Sequence, residues 1–289
     1  MFKYTLDNKR YHTLNYYLKN KFNDKVIKIS LNGNFTCPNI DGTKGYGGCI
    51  YCSKSGSGEH GGNPNKDLTT QFNEVREVIE KKWPSNKYIA YFQARTNTYA
   101  PLNVLKEKYE EVLKIDNVVG LFIATRCDAI TKETLDYLEE LNKRTNLTIE
   151  LGLQTINNST ADYIRRGYPL SVYDEAVSNL LSIGIAPVVH MIIGLPHETI
   201  SDYIATARYI SDSGASGIKI SLLHILKDTD LYNDYCKGLF KALTMDEYLA
   251  AIGAILPVLP KSMVIHRLTG DGPKNILAAP LWTADKKRV

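Results

Sequence analysis

Three cysteines in one short segment have the spacing of a metal centre. Cys37, Cys49 and Cys52 are spaced C-x11-C-x2-C, and four glycines lie between the first two of them. Glycine adopts backbone conformations that other residues avoid, so this segment can wrap closely around a bound group. Thiolates are the ligands that soft metals prefer. The segment therefore predicts a metal site.

The number of thiols indicates which metal centre this is. A structural zinc site closes around four ligands, and a [4Fe–4S] cluster normally takes four cysteines. A cluster with three cysteines keeps one iron open, and an open iron can bind and reduce a substrate. Zinc held with His60 or a distant cysteine is the alternative, and so are unpaired cysteines in a core.

Composition narrows the class of protein. The other two of the five cysteines, Cys127 and Cys236, have no second cysteine near them in the chain. An odd number of cysteines without a signal peptide argues against a secreted disulfide scaffold. The 289 residues are 44% hydrophobic and 23% charged, which excludes a disordered or fibrous chain. No apolar run reaches the ~20 residues of a membrane helix, so we expect a cytoplasmic protein with no membrane contact.

The segments that must position these cysteines alternate between two patterns. Short, continuous apolar runs predict strands that are buried on both faces of a sheet. The six runs are 26–31, 88–92, 118–124, 147–153, 187–193 and 218–223. Helical patterns lie near 68–82, 101–114, 131–143, 171–183 and 199–213. Pro101 and Thr131 suit the first turn and the N-cap of their helices.

This alternation predicts an α/β fold with a parallel sheet and right-handed crossovers. Six such units give a partial (β/α)6 TIM-type barrel, whose site lies at the carboxyl ends of the strands. We expect an N-terminal basic helical extension over 1–25 and the barrel over 26–225. An α+β C-terminal extension over 226–289 would cover the barrel mouth. It contains a helical stretch near 244–256 and a candidate strand at 263–266.

Positive charge is concentrated at the N-terminus. Residues 1–30 contain seven lysines and arginines and two aspartates, a net charge of +5, whereas the whole chain carries +4. Aromatic residues alternate with these cations. Cations with stacking rings suit a nucleic-acid backbone. The alternative is a solvated amphipathic helix over 8–22 that packs by its tyrosines.

The cysteine segment resembles that of the radical S-adenosylmethionine (SAM) enzymes. An aromatic residue precedes the third cysteine in that family, and Tyr51 has this position. The long spacing between Cys37 and Cys49 resembles a subgroup near the radical SAM domain of the Elongator catalytic subunit. Further segments carry the resemblance along the chain, namely 150–155 (ELGLQT), 192–199 (IIGLPHET), 266–271 (HRLTGD) and 279–282 (APLW).

The resemblance implies a [4Fe–4S] cluster on Cys37, Cys49 and Cys52, with SAM bound to the open iron. One electron, from a reductant such as flavodoxin or ferredoxin, would cleave SAM to a 5′-deoxyadenosyl radical, which takes a hydrogen atom from the substrate. A smaller bacterial subgroup implies tRNA as substrate, with carboxymethylaminomethyl-uridine at the wobble position converted to aminomethyl-uridine. A radical SAM enzyme for a small molecule or peptide, and a non-catalytic iron–sulfur protein, are the alternatives.

The resemblance also assigns residues to the adenosine part of SAM. Tyr51 would contact the adenine, and Gly194 and Leu195 would let the backbone approach it closely. Glu150 and Gln154 would bind the ribose hydroxyls. A structural role for Glu150 or Gln154, in which it hydrogen-bonds a buried backbone group, is the alternative.

The methionine part of SAM has its own candidates. Gln93 and Thr96 replace a glycine-rich stretch that receives the amino group in the family, and they are expected to contact that group. A guanidinium matches a carboxylate bidentately, so one of two adjacent arginines would bind the SAM carboxylate. We expect this residue to be Arg165, with Arg166 on the surface.

Residues in or just after the predicted strands are the candidates for contact with the substrate. Arg126 and Asp128 follow the third strand, His190 lies in the fifth and His224 follows the sixth, which makes them catalytic candidates. Local structural roles are the alternative for each, and Cys127 is expected to fill the core. The candidate substrate-binding residues are Lys28, His266, Arg267 and Lys274.

Overall fold

The computed structural model describes residues 9–56, 58–59, 61–270 and 272–285. Some predicted features lie outside the described residues. They are the first part of the basic extension, residues 1–8, the alternative zinc ligand His60, and Asp271 of the C-terminal motif.

The helices of the described chain mostly match the predicted segments. They are α1 (Leu14–Phe22), α2 (Leu68–Glu80), α3 (Leu102–Leu113), α4 (Lys132–Arg144), α5 (Asn158–Tyr163), α6 (Leu170–Ser182), α7 (Ile200–Asp212), α8 (Asp230–Cys236) and α9 (Met245–Ile255). The side chain of Thr131 caps α4 by accepting a hydrogen bond from Thr134 N at 3.2 Å, as expected. The short helices α5 and α8 have no counterpart among the predicted segments.

The strands lie within one residue of the six predicted runs, and three more strands follow them. They are β1 (Val26–Leu31), β2 (Lys87–Phe92), β3 (Val118–Thr125), β4 (Asn146–Gln154), β5 (Val188–Ile193), β6 (Gly217–Leu222), β7 (Ile225–Leu226), β8 (Val264–Arg267) and β9 (Leu277–Ala279).

Seven of these strands form one curled parallel sheet in the order β1-β2-β3-β4-β5-β6-β8. This is the expected partial TIM-type barrel, with seven strands in place of six. The seventh strand, β8, comes from the C-terminal region and pairs in parallel with β6. The antiparallel pair β7–β9 lies outside this sheet.

Alternation along the strands separates two cores. Along β2, Tyr88, Ala90 and Phe92 belong to the large apolar core that the strands share with the surrounding helices. Ile89 and Tyr91 point to the other face, into the interior of the barrel. The same alternation on the other strands decides which side chains reach the barrel interior.

Helix α1 lies at the end of the barrel where the strands begin. Its Leu18 is buried in the interior core. Lys87, the first residue of β2, donates a hydrogen bond from Nζ to Phe22 O at 2.8 Å. Lys21 in turn donates to the side chain of Asn146, the first residue of β4. The described part of the basic extension is therefore an amphipathic helix that packs far from the carboxyl ends of the strands.

None of the helices in the described part of the chain is long and apolar enough to span a bilayer.

Candidate active site

A cavity of about 340 Å³ opens at the carboxyl ends of the parallel strands. Residues from the loop after β1, from the strand ends and from the C-terminal region line it together. This is the position expected for the site of a (β/α) barrel. The lining includes all three cysteines of the predicted metal segment, Cys37, Cys49 and Cys52.

The cysteine segment is folded by its own backbone. Ile40 N donates to Cys37 O at 2.8 Å, and Cys52 N donates to Cys49 O at 3.0 Å. Gly47 and Gly48 have φ angles of +77° and +79° directly before Cys49. Only glycine adopts this left-handed conformation readily, which explains why glycines precede the second cysteine.

Hydrogen bonds give one of these thiols thiolate character. The pKa of Cys49 is lowered by the hydrogen bond from the Cys52 thiol, with further help from the charge of Arg126 and from Asn39. Asn39 Nδ2 lies 3.5 Å from Cys49 Sγ. A thiolate, and not a thiol, is the metal ligand.

The donor set fits an iron–sulfur cluster. Within the described ranges, no group of three or more His, Cys, Asp or Glu side chains converges on a single metal ion. The cysteines of a [4Fe–4S] cluster bind different irons, so they do not need to converge in this way. Three sulfur ligands that line one cavity are the chemistry that such a cluster requires.

A buried ionic cluster lies beneath the cavity, inside the barrel. Glu150 Oε2 accepts hydrogen bonds from Tyr91 Oη at 2.7 Å and from Lys219 Nζ at 2.8 Å. His190 Nε2 lies 2.7 Å from the same oxygen, and Lys28 Nζ lies 4.0 Å from Oε1. Glu150 is fully buried. We call these five residues the barrel-centre cluster.

The ionisation of this cluster follows from its burial. Burial opposes a charge on Glu150, but Lys219 and Lys28 outweigh it and hold the pKa of the carboxyl well below its usual range. Burial lowers the pKa of Lys219 to about 7, although Glu150 acts in the opposite direction. Burial likewise lowers the pKa of His190 to about 4, so this imidazole is neutral at neutral pH.

Comparison with known proteins identifies the family. The model of the Radical SAM superfamily matches residues 43–210, and that of the Radical_SAM C-terminal domain matches residues 215–289. The chain belongs to the radical SAM superfamily. It is therefore a radical SAM enzyme, with a [4Fe–4S] cluster and SAM as its cofactors.

Individual relatives show how far the similarity extends. The uncharacterized protein YtqA of Bacillus subtilis is 46% identical over 100% of this chain and 89% of its own length. A tRNA uridine(34) acetyltransferase of Methanocaldococcus infernus is 23% identical over 58% of this chain and 32% of its own length. The structure of Elp3 from the same archaeon superposes with a TM-score of 0.67 at 20% identity. The matched region is 88% of this chain and 58% of the chain in that structure.

Four of the residues assigned to SAM line the cavity, namely Tyr51, Gln93, Thr96 and Gln154. Gln154 has a φ angle of +68°, which is rare for a residue with a side chain. Such strained conformations concentrate at functional sites. A Cβ atom at Gly152 would lie 2.9 Å from Gln154 Nε2, so the missing side chain leaves room for this amide.

The structure reverses the expected placement of the two adjacent arginines. Arg166 lines the cavity and is buried, and it donates to Leu153 O and Thr155 O at 3.0 and 2.6 Å. Arg165 is half exposed and forms an ion pair with Asp230 at 2.6 Å. Arg165 has a left-handed φ of +55°, a turn that directs the two side chains apart. Arg166 therefore replaces Arg165 as the candidate for the SAM carboxylate.

Three other residues assigned to SAM do not line the cavity. Glu150 lies deeper in the barrel, where Tyr91 and Lys219 donate to one oxygen of its carboxylate. Gly194 N donates to Tyr203 Oη at 3.0 Å, and Leu195 is buried in a separate apolar core.

Some of the catalytic candidates line the cavity and one does not. His190, His224 and Arg126 line the cavity, whereas Asp128 does not. The guanidinium of Arg126 donates to both carboxylate oxygens of Asp128 at 2.8 Å. Asp128 thus orients Arg126, and of these two residues only Arg126 faces the cavity. Cys127, which is buried, belongs to the main core, as expected of a small core side chain.

Of the four substrate-binding candidates, only Arg267 lines the cavity. Lys28 belongs to the barrel-centre cluster, and the buried side chain of His266 has its Nδ1 3.6 Å from Glu150 Oε1. Lys274 is exposed and lines a separate surface groove.

Sequence reasoning missed Tyr91, Lys219 and Ser221, which all line the cavity. One signal was available for Lys219. A lysine within an otherwise apolar run, here Gly217–Leu222, must be paired or serve a function, because an unpaired buried charge is costly.

Proposed function

We propose that this radical SAM enzyme acts on the wobble uridine of tRNA and converts carboxymethylaminomethyl-uridine to aminomethyl-uridine. The observation that carries the proposal is the match to a protein named tRNA uridine(34) acetyltransferase over 58% of the chain. The Elp3 fold match supports a shared architecture for the barrel.

An exposed aromatic ring on the cysteine segment supports an RNA substrate. Tyr46 is 80% exposed. Its ring lies against Gly42, where a Cβ atom would be only 2.6 Å from Tyr46 Oη. Lys44 is exposed two residues away. A ring fixed on one face and open on the other is a stacking surface for an unpaired base, and a nearby cation suits the phosphate backbone.

The reaction sets definite demands on the site. When bound, the cluster and SAM supply the abstraction of one hydrogen atom from a substrate C–H bond. The CH2–NH unit beside the carboxylate loses two electrons and two protons in total: one of each leaves the CH2 as the hydrogen atom, a one-electron acceptor takes the second electron, and the second proton leaves the nitrogen. Water then adds to the resulting C=N bond. Cleavage of the C–N bond leaves aminomethyl-uridine and glyoxylate.

The residues of this chain would bind, orient and shield the reacting groups. Cys37, Cys49 and Cys52 would hold the cluster, and Arg166 would bind the SAM carboxylate. Gln154 would hydrogen-bond the ribose hydroxyls. Holding the reacting atoms in contact and excluding water are the protein's contributions to cofactor chemistry of this kind.

Comparing tRNA from cells with and without the gene tests the proposal. Nucleosides from both strains are separated and identified by mass spectrometry. We expect carboxymethylaminomethyl-uridine to accumulate and aminomethyl-uridine derivatives to disappear in the strain without the gene. Unchanged wobble uridines would contradict the proposal.

A small molecule or a peptide is the second candidate substrate, and one observation favours it. The two lysines of α1, Lys19 and Lys21, lie at the opposite end of the barrel from the cavity. They therefore do not extend a nucleic-acid surface around the cavity mouth. Unchanged tRNA in the deletion strain, combined with SAM cleavage by the purified enzyme, would favour this candidate.

A further inference from the structure

A row of polar side chains crosses the inner face of the sheet at the base of the cavity. The parallel register places Gly152, His190, Lys219 and Arg267 side by side on β4, β5, β6 and β8. All four residues line the cavity. Gly152 has no side chain, so the row presents an imidazole and two cations to the cavity.

Positive charge exceeds negative charge in this region. The cations are Lys28, Lys219 and Arg267. Burial and the positive charge of Arg267 lower the pKa of both lysines. In the part of the chain that the structure describes, Glu150 is the carboxylate that forms ion pairs with the two lysines. Three basic side chains thus share one carboxylate, with His190 neutral. A buried positive charge is normally paired, so an anion from outside the chain would pair with Arg267 and favour the protonated form of Lys219.

Arg267 has unused hydrogen-bonding capacity that faces this space. Its Nη2 donates to Ser221 Oγ at 2.7 Å. Its Nε is buried and has no hydrogen-bond partner among the described residues. Gly270 approaches the guanidinium closely, since a Cβ atom there would lie 3.3 Å from Nη2. The Nε–H of Arg267 is therefore left to pair with an anion, and a guanidinium matches a carboxylate.

We propose that Lys219 and Arg267 form a carboxylate-binding site for the substrate at the base of the cavity. This inference rests on the proposed function, because carboxymethylaminomethyl-uridine ends in a carboxylate and aminomethyl-uridine does not. The site holds the acid before the reaction and loses its partner when glyoxylate leaves. It would therefore distinguish the substrate from the product.

The carboxylate of SAM has a different candidate partner, Arg166, which is held at the end of β4 by Leu153 O and Thr155 O. Arg126 lines the same cavity together with the three cysteines, and its charge contributes to lowering the pKa of Cys49. The pKa of Lys219 is instead governed by burial, Glu150 and Arg267. The cavity thus has one cationic group next to the cysteines and a second at its base. The second group is available for the substrate.

The test compares an acid with its amide. Wild type, Lys219→Met and Arg267→Met are assayed on tRNA that carries carboxymethylaminomethyl-uridine or its carbamoylmethylaminomethyl analogue. Lys261→Met is the matched control, because Lys261 is exposed on the segment before β8. Ligand-detected NMR with N-methylglycine and its amide measures the same preference without turnover or tRNA.

We expect wild type and the control to favour the acid over the amide by about tenfold to a hundredfold in kcat/KM, the range of hydrogen bonds to charged groups. Both variants should reduce this ratio to within about threefold of unity. A loss of stability alone would lower both rates and leave their ratio unchanged. If Lys219→Met does not fold, the test uses Arg267→Met. Arg267 is only half-buried, and its hydrogen bond is to the side chain of Ser221, so this substitution is expected to be tolerated.

The outcomes separate this inference from the proposed function. Equal turnover of acid and amide by wild type would overturn the carboxylate site and leave tRNA as the substrate. N-methylglycine binding that both variants abolish, without any turnover of tRNA, would support the site and overturn the tRNA proposal. A ratio that survives both substitutions would overturn the site.

Discussion

Substitution of Glu150 by glutamine tests the electrostatics at the centre of the barrel. The carboxylate accepts hydrogen bonds from Tyr91 and Lys219, and His190 lies within hydrogen-bond distance of the same oxygen. Glutamine keeps the shape and one acceptor oxygen but removes the charge. The variant must then bury Lys219 and Lys28 without the carboxylate that pairs with them.

The expected cost follows from burial. Glu150 is fully buried and Lys219 is 4% exposed. Removing one partner of such a pair typically costs about 3–5 kcal/mol, because the other charge stays buried and unpaired. This is a large part of the ~5–15 kcal/mol by which a domain is stable. The exposed pair Lys66–Glu74 provides the control, and Glu74→Gln should cost less than ~1 kcal/mol.

The cost should also depend on pH in a defined direction. Loss of Glu150 lowers the pKa of Lys219 below its native value of about 7, because Glu150 raises that pKa. Above about pH 7, Lys219 is neutral in both folded proteins. The difference in unfolding free energy between wild type and Glu150→Gln therefore does not change with pH in that range. Below that pH, only wild type regains the proton, and the difference grows by ~1.4 kcal/mol per pH unit until the variant is protonated as well.

Urea unfolding followed by far-ultraviolet circular dichroism at about pH 6 and about pH 8 measures both effects. Glu150→Gln should unfold at a much lower urea concentration than Glu74→Gln, and the gap from wild type should be larger at the lower pH. Two variants with equal midpoints, or a gap that shrinks at the lower pH, would refute the conclusion that Glu150 neutralises the buried lysines.

Three further predictions concern the cofactors and the RNA. Cys49→Ala should lose the iron of the cluster and SAM cleavage together, whereas Cys236→Ala should keep both; a retained cluster in Cys49→Ala would contradict the ligand set. Arg166→Lys should weaken SAM binding by about tenfold to a hundredfold in equilibrium dialysis, and Arg165→Lys should leave it unchanged, because Arg166 donates to backbone carbonyls through Nε and Nη1 and keeps Nη2 for the carboxylate, which a single ammonium cannot do. Tyr46→Ala should raise the KM for tRNA by about fivefold or more without changing SAM affinity, because base stacking contributes ~1–3 kcal/mol; an unchanged KM would exclude stacking.

Most strands of the barrel are predictable because they are largely buried on both faces. A continuous apolar run such as 118–124 has no amphipathic alternative, and its ends are set by the turns around it. The seventh strand, Val264–Arg267, lies within one residue of the candidate strand 263–266, but its four residues, of which two are polar, do not show which strand it pairs with. Its place next to β6 depends on pairing across the sheet and not on local sequence.

The cysteine segment is predictable for a different reason. Its chemistry depends on spacing within 16 consecutive residues, so Cys37, Cys49 and Cys52 reach one cavity through local turns. The two arginines show the limit of this reasoning. Arg165 and Arg166 are adjacent and identical in type, and a single left-handed residue decides which of them enters the cavity.

The sequence does not show how deep in the barrel each residue of a strand lies. Glu150, Gly152 and Gln154 share one face of β4 because side chains alternate along a strand. The sequence places Glu150 and Gln154 on the same face, but it does not show that Glu150 lies about two residue steps deeper. Its partners Tyr91, His190 and Lys219 come from three other strands, so only the folded sheet brings the cluster together.

Turnover of a defined tRNA by the purified enzyme is the most direct test of the proposed function. The anaerobically reconstituted protein is incubated with SAM, a low-potential reductant and tRNA that carries carboxymethylaminomethyl-uridine, and the nucleosides are analysed by mass spectrometry. We predict aminomethyl-uridine and glyoxylate in equal amounts, and no product with the Cys49→Ala variant. Formation of 5′-deoxyadenosine with an unchanged wobble uridine would contradict the tRNA assignment.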